Sequence, residues 1–180
     1  RMFAYVEMAA YEAALPALEG YISLEKLCPG YHAPTQAAPD GYDLPTGLNA
    51  AYARTLRAFF PTAPRAILAK INALEAAHAE EQANSTDPEI FSQSATFGRH
   101  IADAVWQFST LDSVGHDGFL YNYDRQFTPC TEPGCWQPTG DRPIPALLPH
   151  WGSTHTFLVK TNEIKVKSPI PFSESPGSAF

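Results

Sequence analysis

Two histidines in the last third of the chain are the first residues whose type and spacing suggest chemistry. His150 and His155 lie on either side of a segment that begins with Trp151, and such a pair could approach a metal ion or line a pocket. No carboxylate or thiolate lies close to them in the sequence, and no helical repeat places them on one face. Packing or surface roles are the simpler interpretation, so we predict no metal site and keep both histidines as pocket candidates.

A second chemical candidate is the run His116-Asp117-Gly118. A histidine beside an aspartate suggests a proton shuttle, but Asp-Gly directly after a helix more often forms a turn, and the chain needs one there. The sequence also contains no glycine-rich phosphate loop, no Gly-x-Ser-x-Gly elbow and no His-Glu-x-x-His. These absences argue against the common nucleotide-binding, serine-hydrolase and zinc-protease classes.

The three cysteines indicate a compartment rather than a mechanism. Cys130 and Cys135 bracket the turn-forming run Thr-Glu-Pro-Gly, so we predict that they form a short disulfide loop, as suits a secreted or periplasmic protein. Only Cys28 remains, which excludes a four-thiolate zinc site. Cys28 is then either a lone thiol or the partner of a cysteine in another segment.

Overall charge narrows the choice of partners. The chain of 180 residues has a formal net charge of −7, so it offers no basic surface for nucleic acid and would be repelled by anionic membranes. No apolar run approaches the roughly 20 residues that span a bilayer. We therefore predict neither nucleic-acid binding nor a membrane span, and a homo-oligomer is left open.

The elements that must position these residues are helical, because apolar side chains recur every three or four positions over the first 110 or so residues. We predict a first helix over about residues 2–24, kinked at Pro16. A second begins at Thr46 as N-cap and ends before Pro61, and a third is capped by Thr62. The fold class is therefore all-α, a bundle of about four helices.

The fourth helix has the clearest signals. Thr86-Asp-Pro-Glu89 is a capping-box pattern with proline in the first turn, and an apolar stripe follows it. Ala95, Gly98 and Ala102 form a strip of small residues where another backbone can approach closely. We expect this helix to lie in the core.

The same spacing predicts which faces are buried. The expected buried face of the first helix consists of Phe3, Val6, Ala9, Ala10 and Ala13. Glu12 is expected to lie outside this face. The expected stripe of the third helix is Ile67, Ile71, Leu74 and His78.

Periodicity stops at Asp112, and residues 112–167 are dense in proline, glycine, tryptophan and tyrosine. We predict an irregular segment that wraps the scaffold of residues 1–111 as part of the same domain. Ordering such a segment costs about 1 to 2 kcal/mol per residue in backbone freedom, so large rings must anchor it. The expected anchors are Trp136, Trp151 and Phe157, with Trp151 packed near the fourth helix. Residues 168–180 are predicted to be a linker to a further C-terminal part.

Several phrases in order along the chain resemble bacterial vanadium-dependent haloperoxidases, relatives of the type 2 phosphatidic acid phosphatases. The first is the helix that starts Arg1-Met-Phe-Ala-Tyr, and Phe59-Phe60-Pro61 ends the next matching helix. Phe97-Gly-Arg-His-Ile-Ala-Asp-Ala-Val105 follows, with its Asp-Gly exit. The most specific phrases are Gly134-Cys-Trp-Gln-Pro-Thr139 and Pro145-Ala-Leu-Leu-Pro-His-Trp-Gly152, with Phe157-Leu158 after them. The resemblance implies an N-terminal half of such a protein.

The family's chemistry does not carry over. Its members hold vanadate or phosphate with a Lys-x6-Arg-Pro element, a Pro-Ser-Gly-His element and an Arg-x5-His element, and none is present here. The sole Arg-Pro, Arg142-Pro143, has Cys135 at the lysine position. A trianionic oxyanion needs several cationic donors, so we predict no catalytic and no cofactor-binding residue in this chain.

Two functions follow from these observations. In one, the chain is the N-terminal helical scaffold and substrate-entrance wall of a haloperoxidase or phosphatase, and its partner is a C-terminal catalytic half that holds vanadate. In the other, it is a non-catalytic structural or assembly module derived from that fold.

Overall fold

A computed structural model describes residues 1–118, 120, 122–139, 144–159 and 163–180. Contacts divide the chain into two compact units, residues 1–111 and residues 112–180. The first unit contains all the α-helices of the described residues, and the second is irregular.

The expected all-α class and the four helices are confirmed. The helices are α1, Met2–Ala14; α2, Leu44–Phe59; α3, Arg65–Ala83; and α4, Pro88–Thr110. Within the described part of the chain the β pairing is one isolated antiparallel bridge between Tyr123 and Leu147. None of the described helices is long and apolar enough to cross a bilayer.

The first helix is shorter than the spacing predicted. α1 ends at Ala14 and passes into a 3-10 turn, Leu15–Ala17. Pro16 has no backbone N–H to continue the α-helical hydrogen bonds, so it ends the helix instead of kinking it. A second 3-10 turn, Leu24–Lys26, is capped by Ser23, whose hydroxyl accepts from the Glu25 N–H. The prediction of helix up to Leu24 is therefore wrong beyond this proline.

The caps of three helices also differ from the prediction. Asp43, not Thr46, caps α2, and its carboxylate accepts from the Thr46 N–H at 3.0 Å. Asp87, not Thr86, caps α4 and accepts from the first-turn N–H groups. Pro64 precedes α3 with no side-chain cap, where Thr62 was expected. At two of these helix starts the N-cap is an aspartate and not the predicted threonine. Its charged oxygen accepts from backbone N–H groups and faces the positive end of the helix dipole.

The contact between α2 and α4 forms the centre of the helical unit, and its closest point is Gly47 against Gly98. A β-carbon built at position 98 would lie 2.1 Å from the Gly47 carbonyl oxygen. Ala95 and Ala102 are also buried beside this glycine. The predicted small-residue strip is therefore confirmed, and it allows the two backbones to touch.

Aromatic rings fill the core between α1, α2 and α4. Tyr5 is fully buried, stacks on Phe59 with ring centroids 5.3 Å apart, and meets the edge of Phe108 at 5.9 Å. Tyr31, from the long connection before α2, also packs against Phe108, with ring centroids 5.7 Å apart. Such pairs contribute about 0.5 to 1.5 kcal/mol each beyond the area they bury, so the connection is held to the bundle as part of its core.

Two residues of α1 were assigned to the wrong side. Phe3 was predicted to be buried but is 70% exposed, whereas Glu12 was placed away from the core and is only 2% exposed. The Glu12 carboxylate accepts from the Leu24 N–H at 2.6 Å and from the Ser23 hydroxyl at 3.0 Å. A buried carboxylate with donors to both oxygens is tolerable, and here it fixes the connection that follows α1.

The third helix lies at the edge of the bundle. No residue of α3 is buried, and Ile67 and Leu74 of its predicted apolar stripe are 44% and 61% exposed. Its contact with α2 includes the Arg57 guanidinium, which donates to both carboxylate oxygens of Glu75. The prediction that the apolar stripe of α3 is buried is therefore wrong, because α3 packs mainly on α2 with a smaller contact to α4, and most of its surface stays uncovered.

Candidate functional site

In the second unit, residues 112–180, a few backbone contacts join stretches that are far apart in sequence. The bridge between Tyr123 and Leu147 brings two distant stretches side by side, and the Leu148 N–H donates to the Asn122 carbonyl oxygen at 2.8 Å. The Trp151 N–H then donates back to Leu148 at 3.0 Å. These bonds place residues 122–127 directly beside residues 147–151, which are far apart in sequence.

The predicted disulfide between Cys130 and Cys135 is confirmed, with Cα atoms 5.8 Å apart. The intervening turn closes with the Cys135 N–H donating to Glu132, and Gly134 has φ +88°. A β-carbon at Gly134 would meet the ring of Phe172 at 3.0 Å, so this ring packs onto the turn where only glycine leaves room. The disulfide therefore pins a small loop that also receives the C-terminal segment.

A histidine–aspartate pair lies where the two stretches meet. His150 Nε2 is 2.8 Å from Asp124 Oδ2, and the other carboxylate oxygen accepts from the Gln126 N–H at 2.8 Å. The hydrogen bond with the His150 imidazole, and after it the bond from the Gln126 N–H, lowers the pKa of Asp124 below its ordinary value. The ring of Phe127 meets the His150 imidazole nearly at right angles, with centroids 5.8 Å apart. His150 therefore has a carboxylate partner, which its near neighbours in sequence do not provide.

This pair lines a cavity of about 330 Å³ whose walls all belong to the second unit. The cavity lies near the lower end of the roughly 300 to 1,000 Å³ typical of small-molecule sites. Trp151 and Tyr123 supply its aromatic surface, and Asp117 and Asp124 supply carboxylates. The indole of Trp151 lies over buried Gly118, since its Cζ3 is 3.8 Å from the position of a β-carbon there. The arrangement is a concave aromatic surface with acidic groups at its edge.

Sequence reasoning found one half of this site and missed the other. His150 was kept as a pocket candidate, and it does line the cavity. His155 is half-buried and is not among the residues that line it. Asp124 was not singled out at all, because its link to His150 depends on a bridge between stretches that no periodicity joins. The run of prolines and aromatics gave no signal of that register.

The turn after α4 agrees with the simpler of its two interpretations. The Leu120 N–H donates to the Asp117 carbonyl oxygen at 2.8 Å, and the His116 N–H donates to the Asp112 carbonyl oxygen at 2.8 Å. Both are turn hydrogen bonds of the backbone. Asp117 lines the cavity, and His116 is not among the described residues that line it.

The proposed aromatic anchors are less buried than core residues. Trp136 is 49% exposed and Trp151 is 46% exposed, while Phe157 is half-buried. Trp136 lines two neighbouring cavities of about 550 and 510 Å³ beside the disulfide. The indoles thus retain a free face in addition to the face that packs, and their role as anchors stays a prediction.

The described residues do not fit a bound vanadate. The described lining of the cavity at His150 carries carboxylates and one imidazole but neither lysine nor arginine, which is the reverse of what a trianion requires. Arg142-Pro143, the sole Arg-Pro of the sequence, lies outside the described residues. Among the side chains that are described, no group of three histidines, cysteines or carboxylates is placed to hold a metal ion.

Comparison with known proteins found no family model, no curated protein and no solved structure that matches the chain.

Proposed function

We propose that this chain is the N-terminal helical part of a vanadium-dependent haloperoxidase-like protein. In this account it forms the scaffold and the wall of the substrate entrance. The oxyanion-binding lysine, arginine and histidine set belongs to a C-terminal catalytic half, which binds vanadate and carries out halide oxidation by peroxide or phosphate-ester hydrolysis.

The proposal is supported mainly by the position of the segment from Phe97 to Val105, whose sequence resembles that of the haloperoxidase family. The phrase lies in the middle of α4, where Phe97, Gly98, Ile101, Ala102 and Val105 are buried. Its glycine is the point at which α4 meets the backbone of α2. The residues of this segment that resemble the family are thus the ones that pack the bundle. Such packing is what a scaffold role requires of them.

The charges of the helical unit support a passive role in the chemistry. Arg54 pairs with Asp103 at 2.7 Å, and Arg57 is held by Glu75. Arg1 donates to the Ser109 carbonyl oxygen at 3.2 Å and its guanidinium lies 4.8 Å from the ring centroid of Tyr5. Guanidinium groups already engaged in this way are poorly placed to converge on one trianion.

The second unit supports the entrance-wall part of the proposal. It presents three open, aromatic-lined cavities and a disulfide, and the disulfide suits an extracytoplasmic setting. Concave apolar walls with a few polar groups are where organic substrates are commonly bound.

The test is a pair of assays on the intact gene product. Peroxide-dependent oxidation of bromide, after loading with vanadate, would support the haloperoxidase branch, and hydrolysis of p-nitrophenyl phosphate would support the phosphatase branch. The 180-residue chain is the matched control, and it should show neither activity. Turnover by the chain alone, or by neither protein, would contradict the proposal.

The second candidate is a non-catalytic structural or assembly module derived from the same fold. It is favoured by the closed core of residues 1–111, in which Tyr5, Val105 and Phe108 are 3% exposed or less. An intact gene product that lacks turnover in both assays would leave this alternative in place.

A further inference from the structure

We propose that the cavity beneath Trp151 is a binding site for a small organic cation, specifically a primary amine that carries an aromatic or compact apolar body. The inference does not depend on the proposed function, because it uses only residues of the second unit and concerns a ligand rather than turnover.

The walls of the cavity define the body of the ligand. Trp151 and Tyr123 are 46% and 51% exposed, and both line the cavity together with Val114 and Leu148. Large rings at a concave surface lose little rotamer freedom when a ligand packs on them. A volume of about 330 Å³ suits a single ring with a short chain.

The charges define the head group. Asp124 is already engaged by His150 and by the Gln126 N–H. Asp117 also lines the cavity, and none of the described residues pairs with its carboxylate. With two carboxylates and one imidazole, the described lining of the cavity is negative whether the imidazole is neutral or protonated. It therefore attracts a cation and repels an anion.

Aromatic and acidic groups together select an organic cation over an inorganic one. An ammonium group near the Trp151 or Tyr123 face gains a cation–π attraction, and its charge is balanced by Asp117. A metal ion would need a convergent ligand set, and the described residues provide none with three members. The apolar walls would then contribute nothing to its binding.

The backbone beside the site has an unfavourable conformation at one residue. Leu148 has φ +49°, the sole positive φ among the described non-glycine residues. It is fixed there by its bond to Asn122 and by the bond it accepts from Trp151. Left-handed backbone at a bulky residue is costly and is concentrated at functional sites. Here it sets the direction in which the chain presents His150 and Trp151.

The test uses NMR titrations of the ¹⁵N-labelled 180-residue chain with three probes of one shape, which are 2-phenylethylamine, neutral 2-phenylethanol and anionic 3-phenylpropanoate. The indole N–H signal of Trp151 is assigned by its loss in Trp151→Phe. We expect the amine to shift this signal and to bind about tenfold more tightly than the alcohol, the combined effect of a cation–π contact and one exposed ion pair. The carboxylate should not saturate the site.

Two variants separate the site from general surface charge. Asp117→Ser should remove the preference for the amine over the alcohol, while Glu132→Ser, which removes the same charge from the same unit outside the cavity, should leave it intact. Among the described residues, the hydrogen bonds of both positions are backbone bonds in turns, so both variants should fold, and unchanged amide spectra elsewhere check this. Equal affinity for amine and alcohol, equal effects of the two substitutions, or a Trp151 signal unmoved by the amine would each overturn the proposal.

Discussion

Gly98 of α4 packs directly against the backbone of Gly47 in α2, so closely that a β-carbon at position 98 would lie 2.1 Å from the Gly47 carbonyl oxygen. Real β-carbon contacts are never that short, and the obstructing atom is backbone. The helices could accept a side chain there only by moving apart. The spacing of α2 and α4, on which the core depends, is therefore set by this one glycine pair.

Gly98→Ala should consequently destabilise the protein, although alanine is the better helix former. The propensity gain is about 0.5 to 1 kcal/mol, whereas forcing extra volume into a packed contact costs about 1 to 3 kcal/mol. Because the contact is with backbone, we expect the upper part of that range to apply and the net effect to be a loss. Urea unfolding measures it. Gly152→Ala is the control, since nothing lies within 4 Å of a β-carbon there. A Gly98→Ala variant as stable as wild type would show that the helices are farther apart.

The cysteines should differ in reactivity in a fixed order. Cys28 is 1% exposed, and the other two form the disulfide. Native unreduced protein should therefore take up no alkylating agent, unfolded unreduced protein one equivalent, and unfolded reduced protein three, as counted by mass spectrometry. Closing a loop this short stabilises by about 2 kcal/mol in the chain-entropy model, so reduction should loosen the second unit. Three free thiols in unfolded, unreduced protein would contradict the pairing.

Burial of Glu12 predicts a pH dependence of stability. Desolvation, opposed by the bonds from Leu24 and Ser23, raises the pKa of this carboxyl above its ordinary value. The folded state then holds the proton more tightly than the unfolded state does. The stabilisation from this group is fully present below the unfolded-state pKa and is lost as pH rises through the folded-state pKa.

Glu12→Gln removes that titration while keeping an acceptor for the Leu24 N–H. Relative to this variant, the wild type should lose free energy of unfolding as pH rises above about 4, near the ordinary pKa of glutamate, measured by urea titrations at each pH. Glu80→Gln, at an exposed position of α3, is the control and should follow the wild type. A wild-type advantage over Glu12→Gln that grows with pH would mean that the hydrogen bonds outweigh desolvation.

Sequence patterns predicted the fold where local and tertiary preferences agree. The stripe of α4, including Phe97, Ile101 and Val105, is buried as its spacing indicates, since that helix contacts each of the other three. The same spacing rule gives the wrong result for Phe3. This residue lies in the first turn of α1, and its side chain is largely exposed to solvent. The rule also gives the wrong result for Glu12, because the Ser23 hydroxyl and the Leu24 N–H donate to its carboxylate and make its burial tolerable.

The candidate site was less predictable than the fold. The disulfide follows from two cysteines around a turn, which is local information. The pair of His150 and Asp124 depends on an isolated bridge at Tyr123, and neither composition nor periodicity encodes that register. Irregular segments are positioned by single contacts of this kind, so their sites become visible only once the chain is folded.

The central claim is that the oxyanion site of the proposed haloperoxidase-like protein lies outside this chain. It is tested most directly by titrating orthovanadate into the 180-residue chain and into the intact gene product, side by side, by isothermal calorimetry. The account predicts one equivalent bound by the intact protein and no measurable binding by the chain. Micromolar affinity of the chain for vanadate, or an intact protein that binds none, would contradict it.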